Sequence, residues 1–173
     1  AVRRTIILEE QIAMTQEQIR LSTHSTNMNN YYRHLDEFIQ FMIAIKESSE
    51  SEEFTFAGIF QQAFQGLTKL ECRELYYKWF GKAIRSKHEV LPGVKADIKV
   101  YYETILSCKT IDELAQLKFN RLSGMDSKLG LVKFGSRLES DFKYQVDLCY
   151  VYICEKILDF ADEDIVDDNG ESI

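Results

Sequence analysis

A histidine flanked by charges and tyrosines is the residue in this sequence best suited to do chemistry. His34 follows Arg33, precedes the acidic pair Asp36 and Glu37, and lies three residues after Tyr31. An imidazole in such surroundings can titrate near physiological pH and so act as a switch. The two carboxylates are adjacent on a predicted helix and diverge by about 100°, so they do not form a two-carboxylate acid–base site. The plainer alternative is a partly buried histidine that is hydrogen-bonded to a neighbouring helix.

Basic residues form the second candidate site, a surface for phosphate groups or for an acidic partner. Between residues 68 and 99 the sequence has eight Lys or Arg against four Asp or Glu, and Lys78, Lys82 and Arg85 share one face of a predicted helix. A second basic stretch runs from residue 118 to residue 143. If the two stretches converge, they form a patch that could hold a nucleic-acid backbone. The alternative is an ordinary solvated surface, because local charge sums of this size arise easily.

Motifs for the common enzyme and metal sites are missing. The sequence contains no GxxxxGK[ST] phosphate loop, no GxGxxG after a strand, no GxSxG and no HExxH. Its Arg-to-His spacings do not match those of HEPN-type ribonucleases, and its acidic tail lacks the ligand positions of a calcium loop. The four cysteines form no CxxC pair, which favours reduced thiols in a cytosolic protein over a zinc site. We therefore predict a non-enzymatic protein with no catalytic residues, no cofactor and no metal.

Length and charge fit one folded domain followed by an acidic tail. With 173 residues, 45% of them hydrophobic, the chain is large enough and apolar enough for a real core. The net charge is −7, but seven acidic residues follow Leu158 with no Lys or Arg among them, so the body is near neutral. We expect residues 161–173 to form a solvated, flexible tail. No apolar run is long enough for a membrane span and no signal peptide is visible, although a start at Ala1 without Met would fit a piece of a longer protein.

Apolar spacing predicts an all-α fold without a sheet, in which a long N-terminal helix leads into a compact bundle of about five to six helices. Residues 1–30 are a polar stalk, whose coiled-coil spacing at Leu8, Ile12 and Ile19 fades too soon to hold a dimer by itself. Residues 22–27 predict either a kink or a continuous helix, and both alternatives stay open. The bundle, residues 31–160, begins with a stripe that we expect to be buried: Tyr31, Leu35, Phe38, Met42 and Ile45.

The second and third helices are predicted from aromatic spacing and end signals. In the second helix, apolar residues repeat at steps of three and four from Phe56 to Leu67, and Gly66 is the predicted stop. Thr68 caps a third helix that continues through Ile84, with Leu70 and Ala83 among its inward-facing residues.

The rest of the bundle is predicted in the same way. A fourth helix runs from Val94 to Cys108, with Leu106 inside. A Ser/Thr-x-x-Glu capping box opens a fifth helix over residues 110–124, and three glycines predict a loop over 124–135. The last helix runs from Ser136 to about Asp162. Tyr32, next to the buried stripe, is also expected in the core.

A Gln/Glu-rich lead-in followed by a tyrosine-bearing helix resembles a known family. The lead-in has Glu9-Glu10-Gln11 and Gln16-Glu17-Gln18, and the helix reads Asn29-Asn30-Tyr31-Tyr32-Arg33-His34-Leu35-Asp36-Glu37-Phe38. This combination resembles the cytosolic portion of bacterial antiphage effectors that have two transmembrane helices and occur with retrons and other abortive-infection systems. The sequence departs from that family in having no transmembrane pair, so the resemblance implies that transmembrane helices precede Ala1.

The resemblance implies a sensing and regulatory domain at the cytoplasmic face of the bacterial inner membrane. A partner complex, in a retron the reverse transcriptase with its nucleic acid, would hold this domain inactive, and oligomers are compatible with such a role. We expect partner contacts at seven residues: Tyr31, Arg33, His34, Glu37, Lys78, Lys82 and Arg85. The alternative is a soluble helical module that binds nucleic acid or a regulatory protein, and a helical enzyme without a recognisable motif is the third reading.

Overall fold

The chain is helical wherever secondary structure is regular in the computed structural model, which describes residues 2–49, 57–85, 87–108, 124–137 and 146–162. Within these ranges there is no strand, and the all-α prediction is confirmed. The helices, numbered in chain order, are α1 (Val2–Ser49), α2 (Ala57–Phe64), α3 (Lys69–Trp79), α4 (Pro92–Leu106), α5 (Met125–Leu129), α6 (Val132–Ser136) and α7 (Val146–Ala161).

Helix α1 is one uninterrupted helix of 48 residues. It passes through residues 22–27 without a break, so the continuous alternative is the correct one. The Thr15 hydroxyl donates a hydrogen bond to the Gln11 carbonyl, one turn earlier, at 2.8 Å, and the helix continues past it. Every side chain from residue 11 to residue 26 is exposed. This part of the predicted stalk therefore stands clear of the described bundle.

The second half of α1 supplies the first wall of the core. All five residues of the predicted stripe are buried: Tyr31, Leu35, Phe38, Met42 and Ile45. They pack mainly against α2 and α3. The prediction for Tyr32 is wrong, because its side chain is 58% exposed. Tyr32 lies about 100° around the helix from Tyr31, which turns it out of the stripe.

Local signals fix the start of α3. Thr68 Oγ1 accepts a hydrogen bond from the Glu71 N–H at 3.3 Å, and the Glu71 carboxylate accepts one from the Thr68 N–H at 2.9 Å. This reciprocal capping box confirms Thr68 as the cap. Gly66 follows α2 at φ +68°, a left-handed conformation that suits glycine, which confirms the predicted stop. Leu70 was expected inside but is exposed, because it lies about 200° around α3 from the buried Cys72.

The end of α3 is a correction, because the helix ends at Trp79 and not at Ile84. Gly81 adopts φ +82°, which turns the chain out of the helix. The Leu91 N–H then donates to the Trp79 carbonyl at 2.8 Å, so the returning chain closes the helix end. Ala83, expected inside, lies in this exposed connection.

Helix α4 begins two residues earlier than expected and ends two residues earlier. Pro92 occupies the first turn, where its missing N–H leaves no hydrogen bond unmade. The helix buries Ile98, Tyr101 and Tyr102. The inward prediction for Leu106 is wrong, since its side chain is fully on the surface at the last helical position.

Residues 124–135, predicted as a loop, belong mostly to the short helices α5 and α6. Gly124 and Gly130 mark the turns before and between them, at φ +102° and +80°. The glycines therefore separate short helices and do not indicate a continuous loop. Leu129, Leu131 and Phe134 are buried, which makes this segment part of the core.

The last described helix is α7. Ser136 closes α6 and does not open the final helix, which corrects the predicted start. Along α7, Cys149, Ile153 and Ile157 are buried as expected. The fifth helix predicted over 110–124 lies outside the described residues except for Gly124, and the predictions for Phe56 and for the acidic tail after Asp162 also lie outside them.

Trp79, the only tryptophan, lies at the centre of the core. Its side chain is fully buried, and its Nε1–H donates to the Leu129 carbonyl at 3.0 Å, which ties α3 to α5. The cysteines are free, and Cys72, Cys149 and Cys154 are buried. Burial raises the pKa of the Cys72 thiol to about 11 and that of Cys149 to about 12, so both stay protonated at neutral pH.

No helix in the described part of the chain combines the length and the apolar character needed to cross a bilayer.

Candidate functional site

The stalk enters the bundle at a group of aromatic rings and imidazoles that we call the junction cluster. Its members come from four separate segments and are Tyr31 and His34 of α1, Tyr76 of α3, Phe80 just after α3, His88 of the connection before α4, and Phe160 of α7. His34 lies between Tyr31 and Leu35 on the helix, at the edge of the buried stripe. Local sequence thus places it where α1 meets the rest of the fold.

His34 is held by one hydrogen bond and by rings on every side. Its Nδ1 shares a hydrogen bond with the Tyr76 hydroxyl at 2.9 Å. Its ring stacks on His88, with centroids 4.9 Å apart and planes 22° apart. Phe80 and Phe160 meet the same ring at 5.1 Å and 5.0 Å. The plainer of the two sequence readings is therefore confirmed: His34 is a partly buried histidine bonded to a neighbouring helix.

Both histidines of the cluster favour the neutral form. Burial, and then the nearby charge that His88 would carry, lowers the pKa of His34 from 6.5 to about 4. Burial also lowers the pKa of His88. A stacked pair in apolar surroundings cannot easily hold two positive charges, which explains the common direction. At neutral pH the cluster is therefore uncharged and acts as packing.

The cluster also contains one polar atom without a partner. Nε2 of His88 is buried and has no hydrogen bond. Tyr31 lies 5.8 Å from His88, ring to ring, and burial is the main reason that its pKa is raised to about 12. A tyrosine and two histidines in these states are poor proton donors and acceptors at neutral pH. The arrangement is suited to holding α1 against α3 and α7, and it lacks an activated nucleophile.

The structure divides the sequence-predicted α1 site into two sides. Tyr31 and His34 point into the junction cluster. Arg33 and Glu37 face solvent and pair with each other, with Arg33 Nε 3.8 Å from a Glu37 carboxylate oxygen. An exposed pair of this kind contributes little to stability, so these two side chains remain accessible to a partner.

The predicted basic face is not a helix face. Lys78 lies on α3 and its Nζ donates to the Ser127 carbonyl at 2.7 Å, whereas Lys82 and Arg85 follow the helix end. Lys82 Nζ lies over the Tyr77 ring at 5.3 Å. Arg85 lines an open depression with Lys87 and four other residues, and Lys78 is not among them. The three cations thus lie in three different local environments.

A groove between α3 and the α5–α6 segment was missed by sequence reasoning. It encloses about 280 Å³, with Leu67, Leu75, Val132 and Phe134 among its apolar lining residues. Its rim carries two ion pairs between segments far apart in sequence, Lys133 with Glu74 and Arg137 with Glu71. No local pattern could reveal it, because α5 and α6 lie about 50 to 60 residues from their α3 partners.

The Arg137–Glu71 pair is largely buried, since each of the two side chains is 20% exposed. Arg137 Nη2 donates to Glu71 at 2.7 Å, and Nη1 donates to the Ala63 carbonyl at 3.1 Å. Burial alone would raise the pKa of Glu71, but hydrogen bonds from Thr68 and Arg137 outweigh it and lower that pKa. The pair joins α2, α3 and the end of α6, which is a structural role.

Among the described residues no group of three His, Cys, Asp or Glu side chains is arranged to hold a metal ion. No protein-family model, no curated protein and no solved structure matches the chain.

Proposed function

We propose that this chain is the non-enzymatic sensing and regulatory domain of a membrane-disrupting antiphage effector. In this proposal a cytosolic partner complex, such as a reverse transcriptase with its nucleic acid, holds the domain inactive, and its release lets membrane segments encoded before Ala1 break the membrane. One observation carries the proposal: α1 is a single helix that is exposed over residues 11–26 and that buries one face in the core from Tyr31 onward. A rigid element that belongs to both parts can transmit a change from the bundle to the stalk.

The attachment of α1 to the bundle supports a mechanical role. From residue 11 to residue 30 the helix extends about 30 Å at 1.5 Å per residue. Phe38 and Met42 are fully buried at its other end. A rotation or displacement of the buried half must therefore move the exposed half, because a continuous helix bends little. The junction cluster lies at the point where the two halves meet.

The partner surface of this proposal is the accessible side of α1 next to the cluster. Arg33 and Glu37 are exposed there, while Tyr31 and His34 lie beneath them on the buried side. A partner that binds Arg33 and Glu37 would act on the part of α1 that contributes Tyr31 and His34 to the junction cluster. Arg33→Glu is expected to weaken partner binding with little effect on folding, because the existing ion pair is exposed.

A matched pair of substitutions in the stalk tests the transmission. Ser25 is exposed, so Ser25→Pro should break α1 at a cost of about 3 kcal/mol to the helix without touching the bundle. Ser25→Ala keeps the helix and is the control. In cells that express the full-length gene, phage infection should permeabilise the membrane with Ser25→Ala and should fail to do so with Ser25→Pro. Dye entry reports the outcome.

Two results would contradict the proposal. Infected cells that die with an intact membrane would remove the membrane-disrupting role. Equal permeabilisation by the two Ser25 variants would remove the transmitting role of α1. Trp79 fluorescence provides the folding control for both variants, since this side chain is buried in the bundle.

A second candidate, a nucleic-acid-binding module, is favoured by the depression beside α4. Arg85, Lys87 and Lys95 line it together with a single acidic residue, Glu89. Cations gathered in this way can hold phosphate groups, and such binding weakens as salt displaces it. Retention on heparin that falls with salt and is lost in Arg85→Gln/Lys95→Gln would support this function, whereas no retention at low salt would remove it.

A further inference from the structure

One line of apolar residues at exact heptad spacing runs along α1 from the stalk into the core. Its members are Met14, Leu21, Met28, Leu35 and Met42. The bundle covers the last two, which are 6% and 0% exposed. The first three are 61%, 52% and 37% exposed. The same stripe is thus a packing surface at one end of the helix and uncovered at the other.

The spacing of the uncovered part favours another helix as its cover. Residues seven apart drift by only about 20° on a straight helix, and a slight left-handed supercoil removes that drift. Gln11, Gln18, Ser25 and Tyr32 interleave with the line at alternating steps of three and four, which completes a two-column seam. All four are exposed in the structure.

We propose that this seam pairs with the same seam of a second copy of the chain. The charges of the stalk argue for a copy and against a charged partner. Over residues 11–30 the only Asp, Glu, Lys or Arg side chains are Glu17 and Arg20, and these bind each other at 2.7 Å. Two stalks therefore meet without like-charge repulsion, while a nucleic acid or a strongly charged protein finds no complementary surface.

The chemistry of the interleaved column also fits a copy. Gln11, Gln18 and Ser25 each carry donor and acceptor groups, so each can exchange hydrogen bonds with uncharged counterparts on a partner seam. Polar residues in one seam column lower the affinity but define the register. The pairing is accordingly a concentration-dependent one, supported along the stalk by Met14, Leu21 and Met28.

The opposite side of the stalk supplies a matched control. Ile12 and Ile19 are 56% and 61% exposed, as accessible as the proposed seam. They lie about 200° around the helix from Met14 and Leu21, two residues further along. Their line continues to Thr26, so it has no third apolar member and does not reach the core.

The test compares Leu21→Glu with Ile19→Glu in the complete 173-residue chain. Sedimentation equilibrium over a range from micromolar to near-millimolar protein should show the wild-type mass rising from 20.2 kDa towards twice that value. Ile19→Glu should associate like the wild type. Leu21→Glu should stay at the monomer mass, with its association weakened by more than about tenfold. Trp79 fluorescence checks that the bundle of each variant is folded.

Cysteine cross-linking locates the contact. Under mild oxidation Leu21→Cys should form covalent dimers, and Ile19→Cys should not, because only the first residue faces its counterpart. A wild-type chain that remains at 20.2 kDa throughout the concentration range would overturn the proposal. An equal loss of association in both glutamate variants, or cross-linking at residue 19 and not at residue 21, would overturn it as well. This inference does not depend on the proposed function, since it concerns only the stalk surface.

Discussion

Protonation of His34 should loosen the bundle in a range of pH where most carboxylates do not yet titrate. Burial lowers the pKa of His34 from 6.5 to about 4, so the folded protein keeps the ring neutral while the unfolded chain takes up a proton below pH 6.5. Proton uptake therefore stabilises the unfolded state relative to the folded state as the pH falls from about 6.5 towards 4. Above that range the contribution of His34 to the pH dependence vanishes.

The size of the effect follows from the pKa difference and the exposure of the ring. A lowering from 6.5 to about 4 corresponds to at most about 3.4 kcal/mol. By pH 5 about 2 kcal/mol of that limit is reached, and we halve it because His34 is only half-buried and solvent screens its charge. We therefore expect His34 to account for a loss of about 1 kcal/mol in the free energy of unfolding between pH 7 and pH 5.

His34→Phe isolates this contribution. Phenylalanine keeps a ring against Phe80, Phe160 and His88 but cannot take a proton. At pH 7 the variant should be less stable by about 1 kcal/mol, because the Tyr76 hydroxyl loses its partner at 2.9 Å. Between pH 7 and pH 5 the wild type should lose about 1 kcal/mol of its free energy of unfolding through His34, which equals its excess over the variant at pH 7. The two proteins should therefore unfold at similar urea concentrations at pH 5.

The assay is urea unfolding at pH 7 and at pH 5, followed by Trp79 fluorescence. His88 has a lowered pKa too, so the variant keeps a smaller pH dependence. His24→Gln is the control for the removal of a histidine, since His24 is exposed on the stalk and lies outside the junction cluster. If His34→Phe loses as much stability as the wild type between the two pH values, the assignment of this pH dependence to His34 is refuted.

Three further substitutions test the remaining contacts of the fold by urea unfolding. Thr68→Ala removes the cap of α3 and should cost about 1 kcal/mol, whereas Thr68→Ser should cost much less; equal losses would contradict the capping role. Arg137→Ala leaves the largely buried Glu71 carboxylate unpaired and should cost about 2 kcal/mol, with a smaller loss when Glu71→Gln is present as well. Gly135→Ala places a methyl group on the Tyr150 hydroxyl and should cost about 2 kcal/mol, which Tyr150→Phe should partly restore.

Sequence reasoning succeeded where one short stretch carries the whole signal. The buried stripe of α1 follows from the alternating steps of three and four between Tyr31 and Ile45. The cap at Thr68 and the stop at Gly66 are each signalled within four residues. Such features depend on local geometry, so no knowledge of the fold is needed to predict them.

The end of α3 could not be predicted because two signals conflict there. Apolar spacing continues from Trp79 and Phe80 to Ala83, which favours a longer helix. Gly81 opposes it, and burial of one small alanine side chain adds too little to hold a glycine in the helix. The hydrogen bond from the Leu91 N–H to the Trp79 carbonyl decides the outcome, and that contact depends on where the chain returns. Since α3 ends at Trp79, Lys82 and Arg85 lie beyond the helix and do not share a helix face with Lys78.

The junction cluster shows why sites between distant segments escape the sequence. Nothing near His34 indicates that His88 will stack on it, because the two are 54 residues apart and belong to different elements. Partial burial of His34 and a bond to another helix were nevertheless one of the two alternatives that the sequence left open. What remained beyond reach was the identity of that partner, which only the packing of α3 against α1 determines.

The stalk poses the opposite problem, since its spacing is complete within the sequence but the proposed partner lies outside the folded monomer. A helix that is exposed all round gains little from packing, and the ion pair between Glu17 and Arg20 adds little more, because both side chains are exposed. Yet Met14, Leu21 and Met28 repeat the spacing of the residues that α1 buries in its own bundle. A heptad line that is covered at one end gives a physical reason to expect a cover at the other, and the Leu21 and Ile19 variants distinguish that expectation from chance spacing.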